Sequence, residues 1–357
     1  MAAFRKQRPE AEAALRRALL GEVMRVGIIG CGKQAPKHIS GLKAAGVTDI
    51  AVADIDPSRA AALAADDSAV RAYDSVEALL TDPAIAAVSV CTPTPSHAPL
   101  IRAAVQNGKH YLCEKPLCES VEEAEELVAM TQRAGLIGMV GYIYRFAPAF
   151  EKAKEILGDA DKTGISPVLG RITTASFRIG GRGSHMAWKH QKATGGGAIN
   201  EMMVHMLDLA HWFFGPEESA QLLRKELYWP AREIGGETVQ ADAEDWVLAT
   251  MKARSGVDIL LQADFITPAF TQYVEIQGEN GSFMGSIQND MPSFVFCSKA
   301  AGGYDAGRTV FDFPRTNIFE AQMGAFVGCV SDQARNQRCD VKGSIELMEL
   351  QRTLMQV

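Results

Sequence analysis

The chain has 357 residues, of which 47% are hydrophobic and 22% are charged, with a formal net charge of −7. This composition is ordinary for a globular protein, and the length predicts two domains rather than one. The acidic balance argues against a nucleic-acid binder, and no apolar run approaches the length of a membrane span.

The seven cysteines are scattered along the chain and form no CxxC pair. This spacing argues against a disulfide framework or a structural zinc site and favours a reducing compartment, so we expect a cytoplasmic protein. Residues 1–22 contain Arg16 and Arg17 with no apolar core after them, and they include acidic residues. We interpret them as an N-terminal extension, either an amphipathic helix or a leader, and not as a secretion signal.

From Met24 onward, predicted strands and helices alternate. The strands are MRVGIIG (24–30), TDIAVAD (48–54), AIAAVSVCT (84–92), KHYLCEK (109–115) and LIGMVGY (136–142). The helices cover 34–45, a segment from Pro57, 97–108 and 120–135. Alternation of this kind predicts βαβ units, and therefore a parallel sheet covered on both faces.

The turn after the first strand has the spacing Gly30-x-Gly32-x-x-Ala35, between a strand and a helix. Gly30 permits a tight turn, Gly32 lets a pyrophosphate approach the backbone, and Ala35 lets the helix pack close to the strand. Asp54 ends the next strand, where it can accept hydrogen bonds from a ribose and repel a 2′-phosphate. The pattern therefore favours NAD over NADP, although Arg59 nearby keeps NADP as the less favoured alternative.

Strand-like runs joined by short turns fill the second half of the chain, and we place the domain seam near residues 146–149. The runs are RITTASFRI (171–179), DWVLATMKA (245–253), VDILLQADF (257–265) and TQYVEIQG (271–278).

Several motifs spread over nearly the whole chain after Met24 identify a family. They are GxGxxA followed by His38, VADIDPSRA (52–60), CTPTPSH (91–97), GKHYLCEKPL (108–117), GYIYRFAPAF (141–150), GGGAINEMMVHMLD (195–208) and EIQGENGSF (275–283). In this combination the chain resembles the Gfo/Idh/MocA family, named for glucose–fructose oxidoreductase, inositol dehydrogenase and a rhizopine catabolism protein.

The resemblance implies an α/β protein with an N-terminal Rossmann domain, here 23–145. It also implies a C-terminal α/β domain, here 146–357, with a large, mostly antiparallel open sheet that carries the substrate pocket and often an oligomer interface. This assignment leaves room for the C-terminal helix to pack back on the Rossmann domain. We expect a homo-oligomer, a dimer or tetramer, because an open sheet with long strands leaves edges to cover.

The resemblance also implies the catalytic residues. The lysine of the E-K-P motif is Lys115, and the histidine behind the glycine run is His205. The acid four residues before that histidine is Glu201, where the family usually has Asp. A cis peptide before Pro116 is expected as in relatives.

The spacing alone places Glu201 and His205 one helical turn apart, with Asp208 continuing the same face. A neutral histidine suits proton exchange near neutral pH, and a lysine ammonium stabilises a developing alkoxide. Two alternatives stay open, an ordinary surface pair and a metal site. The metal is the weaker alternative because no Cys or second His has matching spacing, so we expect no metal.

We expect two further sets of binding residues. The cofactor set is Gly30, Cys31, Gly32, Lys33, Gln34, Asp54, Ile55, Arg59, Cys91, Thr92, Pro93, His97, Glu114 and Lys115. The substrate set is Lys115, Tyr142, Arg145, Arg178, Trp188, Lys189, Asn200, Glu201 and His205. Because His38 and His97 follow strand-end turns, we expect both to pack or cap locally.

Residues 178–192, RIGGRGSHMAWKHQK, are basic and contain no acid. They either recognise an anionic substrate, with Trp188 stacked on a sugar ring, or form a solvated glycine-rich loop.

Together these features predict an NAD-dependent oxidoreductase that acts on a secondary alcohol or ketone of a sugar, sugar derivative or cyclitol. The alternatives are a glycoside hydrolase that uses bound NAD on the same scaffold, and a non-catalytic dinucleotide sensor. Fold alone does not separate these functions.

Overall fold

A computed structural model describes residues 24–65, 67–182, 186–288, 290–332 and 338–355. The predicted N-terminal extension, 1–22, lies outside this part of the chain. The chain divides into two compact units, one comprising residues up to Phe146 with Thr316–Met348 and the other comprising Ala147–Arg315 with the residues from Glu349 onward.

The first unit contains a six-stranded parallel sheet in the order β3-β2-β1-β4-β5-β6. Its strands are β1 (Arg25–Ile29), β2 (Asp49–Ala53), β3 (Val70–Ala72), β4 (Ile85–Val90), β5 (His110–Cys113) and β6 (Gly138–Val140). Its first helices are α1 (Ala35–Ala44), α2 (Pro57–Ala64), α3 (Val76–Thr81), α4 (His97–Gln106) and α5 (Val121–Ala134). This strand order is the doubly wound Rossmann arrangement, which confirms the predicted fold of the first half.

Local signals in the sequence set the ends of these helices. The Ser120 side chain accepts a hydrogen bond from the Glu123 N–H and so caps α5 at its start. Gly135 ends α5 in the left-handed conformation, with φ of 68°. The short strand β3 and helix α3 were not predicted, because three and six residues are too few for a periodic pattern to show.

The second unit is dominated by a nine-stranded sheet in the order β17-β16-β15-β14-β8-β13-β12-β9, with β7 paired to β8. Its strands are β7 (Ile165–Ser166), β8 (Gly170–Gly180), β9 (Glu217–Glu226), β12 (Trp246–Ala253), β13 (Asp258–Asp264), β14 (Thr271–Gly278), β15 (Gly281–Gly285), β16 (Ser293–Cys297) and β17 (Gly307–Phe311), and a separate hairpin holds β10 (Ala231–Ile234) and β11 (Glu237–Gln240). Only the pair of β8 and β13 is parallel among the described strands of this sheet, which confirms the mostly antiparallel sheet.

The remaining helices follow in chain order. They are α6 (Pro148–Leu157), α7 (Ala160–Thr163), a π-helical turn (Ile199–Met203), α8 (Val204–Phe214), α9 (Ile318–Asp332) and α10 (Gly343–Met355). Helix α9 packs on α1 within the first unit, and Gly41 permits the close approach. An added Cβ at Gly41 would lie 2.6 Å from Cγ of Met323 and 2.9 Å from the Phe319 carbonyl oxygen.

The sequence assigned 146–357 to a second domain and allowed the C-terminal helix to pack on the first. In the structure, Thr316–Met348 lies in the first unit. The assignment of cofactor binding to one unit and substrate binding to the other stays a prediction.

Candidate active site

The order of the parallel sheet reverses between β1 and β4, because the chain leaves β1 for β2 on one side and returns to β4 on the other. Ligands of such sheets bind at the carboxyl ends of the strands beside this switch point. The turn after β1 lies there, and Gly30 adopts a φ of 95°. An added Cβ would lie 2.7 Å from Thr92 Cγ2 and 2.9 Å from the carbonyl carbon of Cys91, so only glycine fits.

Gly32 is different, because an added Cβ there would meet no described atom within 4 Å. Next to it, Gln34 Oε1 is buried with no hydrogen-bond partner in the described part of the chain, and α1 begins without a side-chain cap. A helix N-terminus, an open space over a glycine and an unsatisfied amide oxygen together fit a bound pyrophosphate and its neighbouring hydroxyls.

The Asp54 carboxylate is held at the end of β2. It is 8% exposed and accepts hydrogen bonds from the backbone N–H of Cys31 at 2.7 Å and of Asp56 at 2.9 Å. One bond to each oxygen leaves further lone pairs for ribose hydroxyls. The next side chain, Ile55, is 97% exposed and offers an apolar surface to an adenine ring. Arg59 is exposed and lies 3.6 Å from the Asp56 carboxylate.

Thr92 and Pro93 follow β4 at the same edge of the sheet, and Lys33 is exposed in the turn after β1. His97 is buried, with its ring nitrogens 2.8 Å from the carbonyl oxygens of Thr92 and Pro116. Burial lowers the pKa of His97, and the two carbonyl oxygens oppose that effect. The ring therefore ties the strand-end loop to the E-K-P motif.

The Lys115–Pro116 peptide is cis, as expected from the resemblance. The sequence placed His97 in the cofactor set and also expected it to cap locally. Its ring contacts place it among the residues that position the motif.

His38 lies in α1, after the turn that follows β1, and its ring is fully buried. Nε2 lies 2.9 Å from Glu114 Oε1, and Nδ1 lies 2.8 Å from Ser89 Oγ. The sequence gave no signal for this contact, since 76 residues separate the histidine from the glutamate.

Tyr142 and Arg145, both predicted to bind substrate, are 2% and 9% exposed. The Arg145 guanidinium donates a hydrogen bond to the Arg338 carbonyl oxygen and lies 5.9 Å from the centre of the Tyr142 ring. Both side chains therefore contribute to the packing of the first unit, and their role towards substrate stays a prediction.

In the second unit, Glu201 lies in the π-helical turn and His205 in the first turn of α8. A π turn bonds i to i+5 and departs from the regular α-helix that the spacing argument assumed, so the alignment of Glu201 with His205 stays a prediction. The Glu201 side chain is 9% exposed, and its Oε2 lies 2.5 Å from Lys189 Nζ. Glu201 thus belongs to an ion pair with the partly exposed Lys189, and its action on His205 stays a prediction.

His205 is half-buried, and Asp208 is 1% exposed. The glycine run before the π turn takes left-handed conformations, with φ of 75° at Gly195 and 112° at Gly197. It is tied to the turn by Asn200, whose Nδ2 donates to the Gly195 carbonyl oxygen at 3.0 Å. Asn200 Oδ1 in turn accepts from Gln351 Nε2 at 2.7 Å.

Two side chains of the basic stretch, Arg178 and Lys189, have acidic partners within their own unit. Arg178 Nη2 lies 2.6 Å from Asp264 Oδ2, and Arg182 lies 4.9 Å from the Trp229 ring centre. Trp188 is 39% exposed, and the Lys189 ammonium lies 5.4 Å from the centre of the Trp188 ring. Residues 183–185 of the stretch lie outside the described residues.

The fold and the turn after β1 define a dinucleotide-binding Rossmann domain, and comparison with known proteins identifies the family. A family model described as "Oxidoreductase family, NAD-binding Rossmann fold" matches residues 24–142. A second, described as "GFO/IDH/MocA C-terminal domain", matches residues 165–284. Together they cover more than half of the chain, which belongs to the Gfo/Idh/MocA family of oxidoreductases and has NAD as its cofactor.

Individual relatives span most of the chain. A D-xylose 1-dehydrogenase (NADP(+)) of Haloferax volcanii is 27% identical over 91% of this chain and 94% of its own. A myo-inositol 2-dehydrogenase of Thermotoga maritima is 26% identical over 72% of this chain and 74% of its own. The structure of a levoglucosan dehydrogenase with NADH and L-sorbose has a TM-score of 0.79 at 19% identity, covering 93% of this chain and 96% of that one.

Two features are absent from the described residues. No helix there is long and apolar enough to cross a membrane. No group of three or more His, Cys, Asp or Glu side chains is placed to hold a metal ion within the same ranges.

Proposed function

We propose that this protein transfers a hydride between NAD and a secondary alcohol or ketone of a sugar or cyclitol. The observation that carries the proposal is the turn after β1, where Gly30 is required by the fold and Gly32 leaves open space at the switch point. The names of the relatives, a xylose, an inositol and a levoglucosan dehydrogenase, support the substrate class.

Asp54 supports NAD over NADP. Its carboxylate is held in place by two backbone N–H groups and would face a 2′-phosphate with a negative charge. One relative has NADP(+) in its name, so the preference has to be argued from this chain. We expect Asp54→Ala to lower the ratio of NAD to NADP affinity at least about tenfold. The ratio is informative because a loosened turn would weaken the binding of both coenzymes equally. An unchanged ratio would refute the contact of Asp54 with the ribose.

When bound, NAD accepts a hydride from a carbinol carbon, or returns one to a carbonyl carbon when reduced. His205 takes the hydroxyl proton as the carbon is oxidised and gives it back in the reverse direction. The Lys115 ammonium stabilises negative charge on the reacting oxygen. Glu201 acts with Lys189 as a neutral pair, and Asp208 lies buried one turn beyond His205.

The substrate we propose is uncharged. Two cations of the basic stretch, Arg178 and Lys189, are neutralised by Asp264 and Glu201, which leaves less positive charge for a phosphate or carboxylate. Comparing kcat/KM for a neutral sugar with that for its phosphate ester tests this. A preference for the ester would favour the anionic alternative.

The test of the activity is a panel of sugars, cyclitols and sugar nucleotides assayed for NADH formation. Stoichiometric NADH with a free polyol supports the dehydrogenase, whereas bond cleavage without net NADH would favour the NAD-dependent hydrolase. We expect His205→Ala to lower turnover by about 10²–10⁴ and to leave NADH affinity nearly unchanged. Near-normal turnover in this variant would refute the role of His205.

We also propose a cytoplasmic homo-oligomer. All seven cysteines lie in the described part of the chain, and none forms a disulfide there. One face of the nine-stranded sheet is partly exposed to solvent across β8, β13, β12 and β9. The paired residues Ser176, Leu260, Thr250 and Gln221 form one row across these strands. Light scattering on the purified protein tests the assembly, and a monomer at micromolar concentration would refute it.

A further inference from the structure

Three titratable side chains form a line beside the turn after β1. The Sγ of Cys91 lies 3.4 Å from Nδ1 of His38, and Nε2 of the same ring lies 2.9 Å from Oε1 of Glu114. Ser89 Oγ lies 2.8 Å from Nδ1 and 3.7 Å from the Cys91 sulfur. Because the imidazole lies between the thiol and the carboxylate, these groups do not converge on a point as metal ligands would.

A thiol next to a histidine whose far nitrogen contacts a carboxylate is the arrangement that activates cysteine nucleophiles. Burial of His38 opposes its protonation. The charges of Cys91 and Glu114 and their hydrogen bonds outweigh burial and raise the pKa of His38 to about 10. A positively charged ring beside the sulfur stabilises the thiolate, which is the reactive form of cysteine.

Exposure distinguishes this thiol from most of the others. Cys31 and Cys91 are half-exposed, and the other five cysteines are buried. Burial, followed by the negative charge of Asp54, raises the pKa of Cys31 to about 12. The chain thus holds two half-exposed thiols beside the same turn, and the imidazole of His38 contacts the sulfur of Cys91.

We propose that Cys91 is a peroxide-reactive thiol, activated by His38 and Glu114 and shielded when NAD is bound. The shielding rests on the cofactor placement proposed above, whereas the reactivity does not. Cys91 follows β4 at the switch point, so a coenzyme on the turn after β1 would cover its sulfur.

The oxidant is a hydroperoxide, for example hydrogen peroxide. The Cys91 thiolate attacks one peroxide oxygen, an S–O bond forms and the O–O bond breaks, and hydroxide leaves with the bonding pair. His38 gives its proton to the hydroxide, which departs as water, and the product is a cysteine sulfenic acid. Two molecules of a small thiol then restore the cysteine, yielding one disulfide and one water.

The experiment compares the two half-exposed cysteines in one protein without coenzyme. Iodoacetamide is added for timed intervals and the peptides are quantified by mass spectrometry. We expect Cys91 to react at least about tenfold faster than Cys31 at pH 7. After hydrogen peroxide treatment we expect dimedone, which traps sulfenic acids, on Cys91. Equal alkylation rates or absence of the dimedone adduct would overturn the proposal.

The pH profile of the unmodified chain needs no variant. The titratable groups nearest the Cys91 thiol are His38 from α1, Cys31 from the turn after β1 and Cys113 from β5, and Glu114 lies on the far side of the His38 ring. We expect the Cys91 rate to rise less between pH 6 and 8 than the Cys31 rate, because the His38 ring contacts the Cys91 sulfur. A rate rising about tenfold per pH unit, as for an ordinary thiol, would contradict activation.

Two variants on α1 provide a matched comparison. His38→Gln is expected to slow alkylation of Cys91 to the rate of Cys31. Lys37→Gln, the neighbouring exposed position, removes a positive charge from the same helix and is expected to leave the rate within about twofold of the unmodified chain. Should His38→Gln fail to fold, the pH profile decides. A similar slowing in both variants would overturn the role of His38.

Addition of NADH separates the two proposals. Fast alkylation of Cys91 that NADH slows supports both the activated thiol and the cofactor placement. Fast alkylation that saturating NADH leaves unchanged supports the activation of Cys91. It refutes the shielding of Cys91 by the coenzyme, and with it the proposed cofactor placement. Slow alkylation without coenzyme refutes only the activation of Cys91, because it says nothing against the binding of NADH.

Discussion

Replacing Gly32 with alanine should separate cofactor binding from folding. The φ of Gly32 lies outside the left-handed region, and an added Cβ meets no described atom within 4 Å. The substitution therefore costs the native fold nothing. It can raise the free energy of unfolding by about 0.4–1 kcal/mol, because alanine restricts the unfolded chain.

The same Cβ occupies the space that the turn leaves for a pyrophosphate. We expect NADH affinity to fall about 10–100-fold, or about 1.4–2.7 kcal/mol. At about 100 times its Kd, NADH stabilises the unmodified protein by about 2.7 kcal/mol. At the same concentration, a variant that binds 100-fold more weakly gains only about 0.4 kcal/mol. Denaturant unfolding with and without NADH, together with titration calorimetry, measures both quantities.

Gly30→Ala is the matched control on the same turn. Its φ of 95° and the overlap with Thr92 and Cys91 predict a loss of at least about 1–3 kcal/mol without any coenzyme. The reasoning is refuted if Gly32→Ala is stabilised by NADH as strongly as the unmodified chain. It is also refuted if Gly32→Ala alone unfolds as readily as Gly30→Ala.

Other substitutions test single contacts. Lys189→Met leaves the 9% exposed Glu201 carboxylate without its cation; because Lys189 is itself 31% exposed, we expect a loss of only about 1–2 kcal/mol of unfolding free energy, measured in denaturant. Arg178→Met removes the cation paired with the 1% exposed Asp264, so the free energy of unfolding should fall by about 3 kcal/mol. A loss of kcat/KM at unchanged stability would instead favour a role of Arg178 in substrate binding. Burial lowers the pKa of His110 to about 4, so native stability should be full above pH 6.5 and fall as the pH drops towards 4. In the native protein the His110 ring accepts a hydrogen bond from a backbone N–H, and His110→Asn keeps an acceptor there. We expect this variant to lose less stability between pH 6.5 and 4, measured by thermal melting at each pH. The same loss of stability as in the unmodified chain would contradict the role of His110.

The sequence was sufficient where a pattern is local. The alternation from Met24 predicted the strands of the parallel sheet except the short β3, because buried apolar runs and caps such as Ser120 and Gly135 fix each element separately. Contacts between distant residues were not predictable in this way. The ion pair of His38 with Glu114 depends on how α1 and β5 are placed by the sheet, and neither residue is unusual in its own segment.

The sequence does not show the π turn in the helix that carries Glu201. A periodic sequence does not distinguish a π turn from an α turn, because the extra residue is absorbed by backbone geometry and not by composition. The consequence is chemical. The Glu201 carboxylate, which the sequence placed beside His205, contacts the Lys189 ammonium, and this contact offsets part of its negative charge. A neutral Glu–Lys pair stabilises an imidazolium less than a solitary carboxylate does.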